Sequence, residues 1–189
     1  HDFGANVLLS IDWLGPIQST PTAPPNPYKY ILHLFDPARK FNYFALSPDK
    51  SGVSARRLFA DYIWTFGSPH YVVADCDKSF TGKELTSYTQ SLGITVYHGF
   101  PHSAHRRAYS ERIHQELFAC IRSVQQSQRE RRVTIATWQE LVKPAAFVLN
   151  SCAALEGCDV APHDLTFLYK AALPPSVSGD KPNEDVKLF

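Results

Sequence analysis

The sequence predicts an α/β domain built on a mixed five-stranded sheet, and three observations support this fold class. Three strand-like runs follow one another before Ser47, with connections that suit an antiparallel meander. Two further short apolar runs each follow a segment with helical periodicity, which is typical of right-handed parallel connections. The chain has 189 residues and 44% hydrophobic content, enough for one domain with a substantial core.

The opening meander is predicted from the order of apolar and turn-forming residues. Residues 7–12 alternate apolar and more polar side chains, which is the period-2 pattern of a strand. Residues 17–27 are rich in proline and predict an extended loop. Residues 30–35 and 41–46 are the second and third strands, and Asp36, which precedes a proline, favours a turn between them rather than metal binding.

Helices and parallel strands are predicted to follow. Residues 55–66 carry apolar side chains at helical spacing, and residues 71–74 form a short strand. Residues 81–84 read Thr-Gly-Lys-Glu, a capping box that predicts the start of a helix ending at Gly93. Residues 94–97 are the fifth strand.

The second half of the chain is predicted to be helical. Residues 98–107 are expected to form a loop, followed by a helix over about 109–126. The predicted core stripe of that helix contains Ile113, Leu117, Cys120 and Val124. Its opposite face is expected to carry Glu111, His114, Gln115 and Arg122.

Two more helices complete the predicted domain. A second capping box at residues 137–140 opens a helix that reaches about Leu155, in which Pro144 predicts a kink or a break. Residues 162–169 favour a last short helix. From 174 to 189 the composition turns to Pro, Ser, Gly, Asp and Lys, so we assign residues 1–173 to the domain and 174–189 to a disordered tail or linker.

Three acidic residues stand where strands end or a helix starts. Asp12 ends the first strand, Asp75 follows the strand at 71–74, and Glu111 lies in the first turn of a predicted helix. Three carboxylates cannot share a small volume as bare anions. Divalent Mg²⁺ or Mn²⁺ ions, which prefer hard oxygen ligands, resolve that conflict. The alternative is that each acid is a solvated strand-end or first-turn residue, since the helix macrodipole favours a Glu at that position anyway.

Basic residues cluster around the third acid, although the formal net charge of the whole chain is only +1. Between residues 106 and 132, seven arginines stand against three glutamates. Such arginines can hold phosphates without reading sequence, or can serve solubility alone. The residues predicted to contact nucleic acid are Arg106, Arg107, Arg112, His114 and Gln115.

Several classes of protein are disfavoured. No apolar run approaches the ~20 residues of a membrane span. The four cysteines form no CxxC pair, so we expect reduced thiols in an intracellular protein rather than a structural zinc site. No Ser/His/Asp or Cys/His signature points to a protein nucleophile. The chain begins at His1 without Met and is interpreted as part of something longer.

Several segments together resemble the catalytic core of retroviral and LTR-retrotransposon integrases. In order, these segments are Ser10-Ile11-Asp12-Trp13-Leu14-Gly15-Pro16, residues 66–75 with Phe80 behind them, Glu111-Arg112, Trp138, Asn150 and residues 161–165. Thirty-five residues separate Asp75 from Glu111, which is the family's characteristic spacing. The resemblance covers residues 7 to about 170.

The resemblance implies a fold and an activity. The implied fold is RNase H-like: a five-stranded mixed sheet with helices on both faces. The implied reaction is polynucleotidyl transfer on DNA, in which 3′-end processing precedes strand transfer and two Mg²⁺ or Mn²⁺ ions are used. Asp12 would bridge both ions, Asp75 would complete one site and Glu111 the other. The implied partners are the element's DNA ends and target DNA, in a homodimer or larger oligomer, with no membrane and no organic cofactor, in the nucleus after passage through the cytoplasm.

Two residues depart from the family pattern. Asp77 and Ala108 stand where the family usually has glycine, beside the second Asp and the Glu. Asp77 could sit beside the site or raise its negative charge. Two alternatives therefore stay open: a domesticated, catalytically silent integrase-fold module that binds protein or nucleic acid, and a metal-dependent nuclease that cuts without joining.

Overall fold

A computed structural model describes residues 7–18, 26–99, 103–152 and 160–168, without the side chains of residues 103–107 and 152. Its elements in chain order are β1 (Leu8–Leu14), β2 (Tyr30–Asp36), β3 (Phe41–Ser47), α1 (Gly52–Phe66), β4 (Tyr71–Ala74), α2 (Lys78–Thr81), α3 (Lys83–Ser91), β5 (Thr95–His98), α4 (Ser103–Glu130), α5 (Trp138–Cys152) and α6 (Pro162–Phe167). Among the helices of these ranges, none is both long and apolar enough to cross a membrane.

The five strands form one mixed sheet in the order β3-β2-β1-β4-β5. The pairs β3–β2 and β2–β1 are antiparallel, whereas β1–β4 and β4–β5 are parallel. The predicted fold class is therefore confirmed, including the antiparallel meander at the start. Its parallel half places the carboxyl ends of β1 and β4 side by side, at one edge of the sheet.

Helices pack on both faces of the sheet and divide the core in two. Leu9 and Ile11 of β1 point to the face covered by α1, α2 and α3, where Phe59, Phe80 and Leu85 are buried. Leu14, Ile31 and Phe44 point to the other face, which is covered by α4 and α5. This alternation along each strand is the period-2 pattern that the sequence predicts.

Local capping determines where several helices begin. The Ser51 side chain accepts a hydrogen bond from the Ser54 N–H at the start of α1, and Gly67 ends that helix with a φ of 97° that favours glycine. The capping box predicted for α5 is confirmed. The Glu140 carboxylate accepts from the Thr137 N–H, while the Thr137 hydroxyl accepts from the Glu140 N–H.

The capping box predicted at residues 81–84 is wrong. Thr81 is the last residue of α2, whose N-cap is Asp77, so its hydroxyl donates to the Asp77 carbonyl instead of capping α3. The N-cap of α3 is Gly82, which has no side chain to contribute. Because Thr81 belongs to the short helix α2, it is not available as the N-cap of α3.

Three further expectations about the long helices are corrected. Helix α4 begins at Ser103 rather than at 109, so part of the predicted loop 98–107 is helical. Its buried stripe contains Ile113, Leu117 and Ile121, whereas Cys120 is half-buried and Val124 is exposed. Helix α5 continues through Pro144 without a break. The tail assigned to residues 174–189 lies outside the described residues.

Candidate active site at the carboxyl ends of β1 and β4

Asp12 and Asp75 occupy equivalent positions on neighbouring strands. In the parallel pairing of β1 with β4, Ile11 lies beside Ala74, so the next position on each strand is an aspartate. Adjacent strands lie about 4.8 Å apart, which places these two residues side by side. The first two acids of the predicted site are thus neighbours just past the end of the β1–β4 pairing. Asp75 directly follows β4, but Asp12 does not end its strand as expected, because β1 continues to Leu14 and stays paired with β2.

Short hydrogen bonds orient both aspartates. Oδ1 of Asp12 accepts from the Trp13 N–H at 2.8 Å, and Oδ1 of Asp75 accepts from the Asp77 N–H at 3.0 Å. The Asp75 carbonyl lies 3.3 Å from Nδ1 of His98 on β5. Asp12 is half-buried and Asp75 is exposed, so the pair opens to solvent.

Glu111 lies on a helix that is tied to the strand beside Asp12. Across the β1–β2 pairing, Asp12 faces His33, and Nδ1 of His33 lies 2.9 Å from Nε2 of His114 on α4. Glu111 is exposed and lies one turn before His114, so both residues are on the same side of the helix.

The three acids do not form a metal-holding group. Within the residues that the structure describes, no three His, Cys, Asp or Glu side chains are close enough together to hold a metal ion. The structure therefore places Asp12 beside Asp75 and anchors the helix of Glu111 nearby. The metal-binding roles of all three residues, and of Glu111 above all, stay predictions.

A buried polar network lies behind the acids, and its hydrogen bonds fix the positions of its protons. The Asn42 amide N–H donates to the Lys40 carbonyl at 3.0 Å, so its oxygen accepts from Nε2 of His33, also at 3.0 Å. Nδ1 of His33 is then an acceptor, and Nε2 of His114 donates to it. Asn150 on α5 closes the network, because its amide exchanges two hydrogen bonds with the Asn42 backbone at 2.9 and 2.8 Å.

Both histidines of this network are neutral at pH 7. Burial, assisted by the neighbouring His114, lowers the pKa of His33 to about 3 against a weaker opposing effect of Asn42. Burial alone lowers the pKa of His114 to about 4. The free-energy cost of removing an imidazolium from water exceeds the stabilisation by these hydrogen bonds, so the uncharged form is preferred.

The predicted nucleic-acid contacts have different surroundings. His114, expected on the exposed face of its helix, is half-buried, because His33 offers it a hydrogen-bond partner on the sheet. Arg112 and Gln115 are exposed. Arg106 and Arg107 lie in α4, but their side chains are outside the described part. Contact with nucleic acid stays a prediction for all five.

The residues at the two expected glycine positions fit their local backbone. Asp77 has φ −62° and ψ 141°, an ordinary extended conformation that does not require glycine. Ala108 lies inside α4, where alanine has the best helix propensity. Neither substitution strains the chain at the site.

Asp77 is occupied by partners of its own. Its carboxylate accepts from the N–H and hydroxyl of Ser79 and lies 2.9 Å from Nζ of Lys50. Burial raises the pKa of Asp77, but the hydrogen bonds from Ser79 and Lys50 outweigh that effect and lower it overall. Asp77 therefore caps α2, and its negative charge is balanced by the charge of Lys50 instead of being added to that of the site.

Lys50 is a site neighbour that the sequence analysis missed. The hydrogen bond to Asp77 raises its pKa, and the charges of Asp77 and Asp75 act in the same direction. No motif surrounds Lys50, and only the folded chain brings it near the second aspartate.

Asp36 is confirmed as a turn former, since its carboxylate accepts from the N–H groups of Ala38 and Arg39.

Comparison with solved structures identifies the fold. No protein-family model matches the sequence, and no curated protein matches it. The catalytic core domain of BIV integrase superimposes with a TM-score of 0.67 at 15% identity, over 86% of this chain and 95% of that one. The HTLV-2 integrase catalytic core domain, in complex with magnesium in a trimeric form, gives 0.67 at 11% identity, over 85% and 96%. This is the fold of retroviral integrase catalytic cores.

One chain of a larger assembly has a similar fold as well. The simian T-cell lymphotropic virus intasome, in complex with PP2A regulatory subunit B56 gamma, gives a TM-score of 0.66 at 15% identity, over 90% of this chain and 56% of that one. The present chain thus spans about half of that integrase and nearly all of the two isolated cores. At such identities the likeness is one of fold, and it confirms the fold that the sequence motifs imply.

Proposed function

We propose that this chain is the catalytic domain of a DNA-cutting and DNA-joining enzyme that performs 3′-end processing and strand transfer. The observation that carries the proposal is that Asp12 and Asp75 each follow the last residue pair of the parallel β1–β4 ladder, within an integrase fold. Ligands of open α/β sheets bind outside such strand ends.

The donor set at the strand ends fits a divalent cation. Asp12 and Asp75 place two hard oxygen donors side by side, and like charges at that distance favour a bound cation. Asp75 has no salt bridge among the described residues, whereas Asp77 is already paired with Lys50. Asp12 and Asp75 would hold Mg²⁺ or Mn²⁺, with Glu111 as the third ligand. When bound, two such ions stabilise the attacking and leaving oxygens of an in-line displacement.

The neighbouring residues would orient the substrate. The His33–His114 contact fixes helix α4, and with it Glu111, against the sheet. Arg112, Gln115, Arg106 and Arg107 would hold the phosphates of DNA ends and target. The HTLV-2 core is described with magnesium and in a trimeric form, which supports metal use and assembly as a dimer or larger oligomer here. We propose a nuclear location for the integration step.

Cleavage and joining of labelled DNA ends test the proposal directly. With Mn²⁺ or Mg²⁺, we expect shortened and joined products from the full-length protein, and we expect Asp75→Asn and Glu111→Gln to abolish both. The matched control is Asp61→Asn, an exposed acid on α1 at the other face of the sheet, which should leave both activities unchanged. Cleavage without joined product would indicate a nuclease.

A catalytically silent binding module is the second candidate, favoured by the lack of a three-residue metal cluster in the described residues. On that hypothesis the wild-type protein binds DNA or a protein partner but leaves the labelled ends intact. Asp75→Asn would then behave like wild type in every assay. Residual cleavage that disappears in Asp75→Asn would exclude this candidate.

A further inference from the structure

We propose that Lys40 and Arg112 form a phosphate cradle on the ring of Tyr109, which holds the sugar-phosphate backbone of a nucleic-acid strand beside Glu111. The choice of nucleic acid as the ligand rests on the proposed function. The cradle joins a turn of the sheet to the helix that carries Glu111. Of its three residues, only Arg112 is a candidate from the sequence.

The ring of Tyr109 brings two cations from different elements together. Nζ of Lys40 lies 5.6 Å from the ring centroid, and Cζ of Arg112 lies 5.3 Å from it. Both distances are within the range of a cation–π contact. Two positive charges, one from the sheet turn and one from α4, therefore lie beside the same ring.

The sheet fixes the position of the shared ring. The Phe35 ring on β2 stacks on Tyr109 with centroids 4.3 Å apart and an interplanar angle of 27°. Tyr109 is itself half-buried at the sheet side of α4. The ring is therefore a rigid support and not a mobile surface side chain.

The β2–β3 turn aims Lys40 at this ring. Lys40 has a φ of 56°, a left-handed conformation that is uncommon for a residue with a side chain. Its carbonyl accepts from the Asn42 side chain, and Asp36 accepts from the N–H groups of Ala38 and Arg39 in the same turn. The backbone is thus held on both sides of Lys40, and the turn directs its side chain towards α4.

Of the two cations at the ring, only Arg112 has an ion-pair partner among the described residues. Nε of Arg112 lies 3.7 Å from a carboxylate oxygen of Glu116, with side chains 65% and 48% exposed. An ion pair so exposed contributes little to stability, and the guanidinium has further N–H groups that can donate to a phosphate. Lys40 makes no ion pair within the described residues, and Arg39 is paired with Asp36. An anion beside the ring would be attracted by both charges, and guanidinium binds phosphate oxygens well.

The position of the cradle selects the phosphodiester backbone as its ligand. Arg112 directly follows Glu111, on the helix that His114 anchors to the strand beside Asp12. A strand whose phosphodiester lies at the two aspartates would pass along this helix. Contacts to phosphate fix register without reading bases, so the cradle should bind unrelated sequences alike.

The salt dependence of DNA binding tests the cradle without any catalytic step. A fluorescent oligonucleotide is titrated with the full-length protein in metal-free buffer over a series of KCl concentrations, with fluorescence anisotropy as the readout. Lys40→Gln and Arg112→Gln should each reduce the slope of log affinity against log salt by about 0.7–0.9, the value for one lost phosphate contact. A second oligonucleotide of unrelated sequence should give the same reductions.

Two control variants make the result specific. Lys40→Arg keeps the charge and should retain the wild-type slope. Lys83→Gln removes an exposed lysine from α3, on the other face of the sheet, and should also retain it. All three positions are exposed, and equal thermal melts would show that the four variants are folded.

The outcomes separate the cradle from the proposed activity. If Lys40→Gln and Arg112→Gln leave the slope at the Lys83→Gln value, or if the wild-type protein shows no salt-dependent binding, the cradle is overturned, whatever the cleavage assay shows. If the two slopes fall but the wild-type protein never cleaves DNA, the cradle stands and the proposed catalysis fails.

Discussion

The two faces of the sheet bury different kinds of side chain. One face mainly stabilises the fold, and the other mainly fixes the position of α4. On the face covered by α1, α2 and α3, the strands present Leu9, Ile11, Leu32 and Leu34, and the polar contacts there include the hydrogen bond from Nε1 of Trp13 to the Ser79 hydroxyl. On the face covered by α4 and α5, apolar residues are interrupted by Asp12, His33 and Asn42. The first face is thus mainly a hydrophobic core, while the other includes a hydrogen-bond network that links β2, β3, α4 and α5.

Polar groups cost more to bury than apolar groups, and their hydrogen bonds are directional, so they fix the relative position of the elements they join. A buried hydrogen bond contributes only about 1 kcal/mol net, whereas an unsatisfied partner costs about 1–3 kcal/mol. The His33–His114 bond therefore adds little stability, but it strongly penalises any shift of α4 along β2. Helix α4 carries Glu111, so the network acts on the geometry of the candidate site.

Removal of a large side chain from the apolar face should have the largest effect on stability. Phe59 of α1 is completely buried, so Phe59→Ala should lower the free energy of unfolding by about 3–5 kcal/mol. Trp64→Ala on the same helix is the matched control, because Trp64 is 78% exposed and its loss should change stability by less than about 0.5 kcal/mol. Urea unfolding measures both. Equal effects would show that this face is not the stabilising core.

The sequence predicts the apolar face better than the polar one. Alternation along β1 and helical spacing along α1 determine which residues enter the hydrophobic core, and burial of apolar area is not directional. The position of Asp75 was predictable as well, because it directly follows the short apolar strand β4, whereas β1 continues past Asp12 to Leu14. The alignment of the two acids as neighbours required the β1–β4 register, which only the folded chain shows.

The missed residues depend on contacts between distant segments. Lys50 and Lys40 approach Asp77 and Tyr109 across distant segments of the chain, so sequence periodicity carries no signal for these contacts. His33 does have a signal: it is the one histidine inside the apolar run 30–35, where a buried partner is required. Of the kink or break predicted at Pro144, the break is absent, and α5 packs on β3 and α4 along its length.

The polar face should make stability depend on pH, while the apolar face should not. The pKa of His33 is about 3 in the folded protein against an ordinary value of 6.5, and that of His114 is lowered to about 4. Below pH 6.5 the unfolded chain therefore binds protons that the folded protein does not. Stability should be full above pH 6.5 and should fall as the pH decreases towards these lowered values.

The size of this effect can be measured above the range in which carboxylates protonate. Between pH 6.5 and 5, His33 alone should lower the free energy of unfolding by roughly 2 kcal/mol, at 1.4 kcal/mol per pH unit. Urea unfolding at pH 7.5, 6.5, 5.5 and 5 measures it. Phe59→Ala should show the same pH dependence as wild type, whereas His33→Leu should remove the share of His33 and leave that of His114. A wild-type stability that stays constant down to pH 5 would contradict the neutral, buried state of His33.

The smallest expected effect is the coupling between the two histidines. His33→Leu and His114→Leu each remove one partner of a single hydrogen bond, so the double variant should lose about 1 kcal/mol less than the two single variants added together. Urea unfolding of the four proteins at pH 7.5 gives this coupling energy. Leu85 and Phe59 on the apolar face serve as a control pair, truncated to Ala singly and together by the same method.

Hydrogen exchange of the α4 amides distinguishes positioning from stability. If the network holds α4 on the sheet, His33→Leu should speed exchange in α4 more than Leu85→Ala does, even where Leu85→Ala costs more stability overall. This follows because Leu85 is buried on the other face, whereas His33 contacts α4 itself. Equal exchange rates in the two variants, together with additive histidine effects, would show that the polar face is simply a second core.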